Sequence, residues 1–229
     1  MFLAGCTGNM KQKQRISVSR GSIVCIDSFP SNFIAPRNVD IWLPEDYNPK
    51  EEYAVLYMHD GQMLYDSSTT WNGQEWGLDE TMSELLEQEK IRPCIVVGIW
   101  NSGSTPKSDY FPQKPWQMLS KRYRDSLVSY GTHYGNRIFA EDVQSDNYLR
   151  FIVEELKPYI DQNFYSHPGR ENTFLMGSSM GGLISMYAIC EYPEIFGGAA
   201  CLSTHWTGIY SDQGNPIPET FIHYLSDHL

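Results

Sequence analysis

The sequence predicts an α/β domain built on a mostly parallel sheet with helices on both faces. Three observations carry this. Residues 53–58 (Tyr-Ala-Val-Leu-Tyr-Met) and 94–100 (Cys-Ile-Val-Val-Gly-Ile-Trp) are almost unbroken apolar runs, as strands buried on both faces require. Strand-like and helix-like periods alternate along the rest of the chain. A glycine-rich turn at 177–182 directly joins an apolar run to a helical stripe.

The elements follow in order. Residues 22–29 and 38–43 alternate apolar and polar side chains, the pattern of half-buried strands, and Pro30, Pro36 and Pro44 punctuate them. They suit an antiparallel edge. Between the two apolar runs, Leu78, Met82, Leu85 and Leu86 fall at helical spacing, so 78–89 should be an amphipathic helix on one sheet face. Residues 101–144 show no clear period and are rich in Gly, Pro, Ser and Tyr; they read as a long loop. Leu149, Ile152, Val153, Leu156 and Ile160 form one helical stripe, which Pro158 should kink or end. Residues 173–176 read as a strand, 183–189 as a helix and 196–202 as a sixth strand.

Composition bounds the function. The 229 residues carry 17 Lys and Arg against 28 Asp and Glu, a net charge of −11. That leaves no electrostatic footprint for nucleic acid. No apolar run approaches the ~20 residues of a membrane span. The cysteines Cys6, Cys25, Cys94, Cys190 and Cys201 contain no C-x-x-C pair, so neither a zinc site nor a thioredoxin motif is expected, and no motif in the chain calls for a cofactor. They read as buried thiols. Residues 1–20 read as a tether ahead of one domain over 21–229. Within the tether, Leu3-Ala4-Gly5-Cys6 resembles the end of a bacterial lipoprotein signal, with Cys6 as the lipidated residue. Only Met1 and Phe2 precede it, too few for a signal. Either the match is chance, or the chain starts inside a longer, exported precursor; without a signal the protein would be cytoplasmic.

The strongest chemical signal is Gly177-Ser178-Ser179-Met180-Gly181-Gly182, a G-x-S-x-G match with Ser179 at its centre. Its strand–turn–helix setting is that of a nucleophile elbow, a sharp bend that leaves the serine Oγ exposed above the carboxyl end of the sheet. The second signal is Met58-His59-Asp60-Gly61-Gln62-Met63, at the end of the first apolar run. Acyl transfer needs two main-chain N–H groups aimed at the tetrahedral oxyanion. Met180, after the nucleophile, supplies one; Gly61 lets the other loop turn so that Gln62 presents the second. His59 and Asp60 read as a pair that shapes this loop, since His59 precedes Ser179 and this kind of site places its base last in the chain.

With these residues in view the chain resembles the esterase D/putative esterase family of α/β-hydrolases, relatives of siderophore esterases, feruloyl and acetyl-xylan esterases, S-formylglutathione hydrolases and antigen 85 mycolyltransferases. The stretches that carry the resemblance are 53–66 (YAVLYMHDGQMLYD), 97–101 (VGIWN), 108–112 (SDYFP), 151–161 (FIVEELKPYID) and 174–193 (FLMGSSMGGLISMYAICEYP). It implies the α/β-hydrolase fold, a serine nucleophile at Ser179, oxyanion donors at Gln62 and Met180, ester or thioester substrates, and no metal. His59, Asp60, Trp100, Tyr110 and Trp206 are the expected substrate-binding residues. Tyr110, Phe111, Trp116, Tyr123, Tyr130 and Tyr134 either wall an acyl or sugar pocket or pin the long loop.

One departure matters. Relatives carry an acid after the seventh strand and a histidine after the eighth, and no further strand pair is readable after Leu202. The expectation is an α/β-hydrolase domain lacking its last two strands, with feeble esterase activity and an exposed edge on the sixth strand that invites self-association. Local substitutes are His205, Asp212, His223, Asp227 and His228, of which His205 follows the sixth strand and so sits on the active-site side; the last three read as solvated terminal residues. Two other readings stay open: a non-catalytic ligand-binding module that keeps the cleft, and an acyltransferase using the same nucleophile.

Overall fold

The computed structural model describes residues 16–103, 106–133, 143–209 and 214–228. Six strands form one sheet: β1 (Ser22–Phe29), β2 (Arg37–Leu43), β3 (Ala54–His59), β4 (Cys94–Ile99), β5 (Thr173–Ser178) and β6 (Gly198–Leu202), in the order β1-β2-β4-β3-β5-β6. The pairs β1/β2 and β2/β4 are antiparallel; β4, β3, β5 and β6 run parallel. The sheet is therefore mixed, with the antiparallel edge that the two alternating segments required.

The apolar runs put alternate side chains into two separate cores. Val55 and Tyr57 of β3 and Ile95, Val97 and Ile99 of β4 face one core; Ala54, Met58, Cys94 and Val96 face the other. Helix α1 (Leu78–Glu87) covers the second core with Leu78 and Met82, both buried. Full burial of such a side chain is worth about 1.5–3 kcal/mol. The first core is covered by α5 (Ser145–Arg150), a π-helical segment (Phe151–Leu156), α6 (Lys157–Asn163) and α7 (Met180–Glu191). Pro158 follows just after the π-helical turn, within one continuous helical run over 145–163, and does not end it.

Two segments differ from the sequence reading. Residues 101–144 are not a bare loop: α2 (Pro106–Tyr110), α3 (Gln113–Met118) and α4 (Lys121–His133) lie within them. The first two are too short to show a period. Tyr110, Phe111 and Trp116 are buried, so they anchor the segment; Tyr134 and the Tyr130 side chain lie outside the described residues. The stretch after Leu202 carries α8 (Ile217–His228), held by the buried Ile217, Phe221 and Tyr224 at helical spacing. His223, Asp227 and His228 are exposed on it. Cys94 and Cys190 are buried thiols, whereas Cys25 is exposed and Cys201 half-buried. Cys25 lies on the edge strand β1, so the buried thiol expected there is not found. Cys6 and Asp212 lie outside the described residues.

Candidate active site

The four parallel strands end on one rim, and the turns after β3 and β5 are neighbours there because β3 and β5 pair directly. The turn after β5 is Ser179. It adopts φ 56°, ψ −114°, a conformation L-residues avoid at a cost of about 1–3 kcal/mol. Four main-chain hydrogen bonds hold it. Its N–H donates to the Leu202 carbonyl at 2.9 Å, and its carbonyl accepts from Gly182 (3.1 Å), Leu183 (3.3 Å) and His205 (3.2 Å). The elbow is thus fastened to the end of β6 and the start of α7. Residue 179 is exposed.

The glycines of the motif are required by close approach. A Cβ on Gly177 would sit 2.5 Å from the Gly181 main chain. One on Gly181 would lie 3.4 Å from His59 Cβ and 3.5 Å from Asp60 Oδ2, which places the β3 loop against the first turn of α7. Met180 opens α7 and is half-buried.

The β3 loop is a 3₁₀ turn, Gly61–Met63, entered through Asp60 at φ 60°, ψ 43°. Gly61 lies on β4: a Cβ there would meet the Gly98 carbonyl carbon at 2.5 Å. Gln62 is half-buried, and its Oε1 accepts the Asn101 main-chain N–H at 3.2 Å. Asp60 Oδ1 accepts from Asn101 Nδ2 at 2.8 Å, and the Asp60 N–H points to the Tyr110 hydroxyl at 3.4 Å. Burial raises the Asp60 pKa, opposed by the hydrogen bonds from Asn101 and Tyr110.

His59 does not face solvent. It is 1% exposed, its Nδ1 lies 2.8 Å from the Tyr148 hydroxyl, and its ring packs on Tyr110 and Tyr148. Burial, then the Arg37 charge, lowers its pKa to about 3, so it is neutral at ordinary pH. Arg37 in turn pairs with the buried Asp109 at 3.2 Å. Tyr110 is likewise buried beneath the loop. Tyr110 meets the loop at the Asp60 N–H, and His59 packs on Tyr110 rather than facing a substrate.

Trp100 is half-buried and its Nε1 donates to the Asp40 carboxylate. Together with Phe33, Arg37, Asn101, Asp109 and Gln144 it lines a cleft of about 520 Å³ on this rim. Trp206 is 40% exposed beside α8. His205 is half-exposed; burial, then the Lys107 charge, lowers its pKa, which keeps the imidazole neutral and able to accept a proton. Among the described residues no group of three or more His, Cys, Asp or Glu is placed to hold a metal ion. No described helix is long and apolar enough to cross a membrane.

Sequence reasoning missed Asn101, Tyr148, Arg37 and Asp109 as parts of the site's support. Asn101 stood inside a quoted stretch (VGIWN), but nothing local marks it; its partners are about forty residues upstream.

Comparison with known proteins gives the setting. The chain is 24% identical over 170 residues to ferri-bacillibactin esterase BesA of Bacillus subtilis (strain 168), covering 71% of this chain and 52% of that one. It is 24% identical over 195 residues to an endo-1,4-beta-xylanase/feruloyl esterase of Xylanibacter ruminicola, covering 82% and 22%. The chain spans about half the length of the curated relatives it matches. Among solved structures, an IroE-like serine hydrolase from Shewanella oneidensis superposes with a TM-score of 0.60 at 21% identity, over 90% of this chain and 56% of that one. Such neighbours establish the α/β-hydrolase fold. The family model described as "Putative esterase" matches residues 32–215, most of the described domain, and the chain belongs to that esterase family.

Proposed function

We propose that this chain is a serine-dependent carboxylic ester hydrolase. The observation that carries the reading is the exposed Ser179 at a positive-φ bend between β5 and α7, with the β3 loop packed against the same turn. In this reading Ser179 Oγ attacks the ester carbonyl and forms the C–O bond of a tetrahedral intermediate. His205 is the candidate base for the hydroxyl proton. The main-chain N–H groups of Gln62 and Met180 receive the negative charge on the former carbonyl oxygen, and the N-terminus of α7 adds to that field. Collapse expels the alcohol with the proton and leaves an acyl-enzyme, which water then hydrolyses by the same steps.

The substrates that fit the relatives' printed names are siderophore-type or carbohydrate-linked esters. The expected rate is low. An oxyanion site and binding without a complete triad give roughly 10³–10⁴-fold over water. A lowered His205 pKa fixes the sign of the pH dependence. The base works when neutral, so the rate is lost as pH falls through a pKa below the ordinary histidine value and is at its plateau by neutral pH. The edge position of β6 in the described sheet supports self-association through that strand, measurable by sedimentation.

The test is hydrolysis of 4-nitrophenyl acetate by the wild type and Ser179→Ala. The reading predicts that the variant loses the acyl-enzyme route, keeping only the turnover that the oxyanion site and binding supply without the nucleophile. Equal turnover by both would remove Ser179 from the chemistry.

A further inference from the structure

The β3 loop presents the Gln62 N–H only if its turn keeps its shape, and that turn is held by few bonds of its own. The Met63 N–H reaches the Asp60 carbonyl at 2.9 Å, and the Leu64 N–H reaches the Gly61 carbonyl at 3.4 Å. Asp60 sits in the left-handed region, which favours glycine or a residue held by its side chain. Asn101 grips the turn at both ends. Its Nδ2 donates to Asp60 Oδ1 at 2.8 Å and its main-chain N–H donates to Gln62 Oε1 at 3.2 Å. Its own Oδ1 accepts the Gly103 N–H at 2.8 Å. That last bond fixes the orientation of the amide, because a flipped amide would set an NH₂ against an N–H and an oxygen against a carboxylate. The register explains the reach. His59 pairs with Ile99 across the parallel strands, so residues two beyond each, Gly61 and Asn101, leave the sheet side by side.

We propose that Asn101 is the positioning residue of the oxyanion-binding loop: it sets the aim of the Gln62 N–H by holding Asp60 and Gln62 together. The inference rests on the esterase reading above and deepens it. Asn101 touches no reacting atom; it acts through Asp60 and Gln62. Asparagine is the residue of this size that offers a donor to a carboxylate and an acceptor to an N–H at once. Aspartate would place two carboxylates in contact, and alanine would leave the half-buried Asp60 with the Tyr110 contact alone.

The test uses the full chain with Asn101→Ala and Asn101→Asp. The readouts are kcat and KM on 4-nitrophenyl acetate, thermal midpoint, and amide hydrogen exchange of residues 60–64. Misaiming one oxyanion donor should lower kcat by roughly 10- to 100-fold with KM within about twofold. Exchange should quicken at 61–63 and stay unchanged in β4. In Asn101→Asp the facing carboxyls share one proton at low pH and repel when both ionise. Its kcat relative to wild type at the same pH should therefore fall as pH rises from 5 to 9. The other groups facing Asp60 do not titrate there: Tyr110 of α2 and Tyr148 of α5 are pushed well above the usual tyrosine value by burial, and His59 of β3, beside Arg37 of β2, is already neutral. An Asn101→Ala variant with wild-type kcat and wild-type exchange at 61–63 overturns the proposal. So does an Asn101→Asp variant whose relative kcat is flat with pH, since a merely structural defect would not titrate. Wild-type turnover that survives Ser179→Ala overturns the esterase reading itself, and this inference falls with it.

Discussion

The two ends of the parallel strands solve the same backbone problem for different purposes. On the carboxyl rim, three strands are each followed at once by a non-glycine residue with positive φ: Asp60 after β3, Ser179 after β5 and Ser203 after β6. At the opposite end, Glu89 and Tyr165 also have positive φ, but each lies two residues beyond a helix, α1 or α6. There the left-handed residue ends a helix; behind Glu89 the Lys90 N–H reaches back to the Leu85 carbonyl at 2.9 Å. Glycine would serve as well. On the rim the bend carries a side chain or an amide to a defined place. Charge separates the ends too. The cavity of about 460 Å³ at the helix-stop end is lined by Glu45, Asp46, Glu51, Glu87 and Glu89, a setting hostile to a developing oxyanion. The lesson is that backbone strain alone does not mark a site; its place at a strand end or behind a helix has to be read with it.

Substitutions test this contrast, beginning with the largest effect. Ser179→Gly relieves the φ of 56° and removes the hydroxyl. Ester turnover should fall further than in any other variant, to what the oxyanion site and binding supply without the nucleophile, while the thermal midpoint holds or rises. A variant that loses stability with activity would show that the bend is not strained. Next comes acid stability. His59 has a folded pKa of about 3 against the ordinary 6.5 of an unfolded chain, so between those values the unfolded state binds the extra proton. Stability is full above pH 6.5 and is lost as pH falls toward 3, by on the order of 4–5 kcal/mol in total. Urea unfolding from pH 7 to pH 4 reads the slope, and His59→Gln should flatten it.

Gly177→Ala drives a Cβ into the Gly181 main chain, 2.5 Å away, and should cost about 2–3 kcal/mol together with most of the activity. A silent result would mean that the elbow is looser than its four hydrogen bonds imply. The smallest effect belongs to the other end. Glu89→Gly should stabilise the chain by about 0.5–1 kcal/mol with turnover unchanged. If it lowers turnover, the two ends are coupled.

Much of this arrangement was readable in the sequence because it is written locally. Residues 53–58 and 94–100 predicted β3 and β4 within a residue or so, since a strand buried on both faces has no polar position to blur it. The elbow was readable because its glycines, serine and flanking periods are contiguous. What was not readable is set by distant contacts. Helices α2 and α3 take their order from Tyr110, Phe111 and Trp116 entering cores built by remote residues, and a five- or six-residue helix has no period to detect. Helix α8 was legible in principle, because Ile217, Phe221 and Tyr224 share a face. The support beneath the β3 loop joins β2, β3, α2 and α5 through Arg37, His59, Tyr110 and Tyr148, four residues whose relation exists only once the chain has folded.

The central claim is that the Ser179 hydroxyl and the main-chain amides of Gln62 and Met180 converge on one point. The direct measurement is a crystal structure of the chain after reaction with a fluorophosphonate. The account predicts one adduct, on Ser179 Oγ, with a phosphonyl oxygen accepting from both amides at hydrogen-bond distance. An adduct on another residue, or a phosphonyl oxygen turned away from the Gln62 N–H, would contradict it.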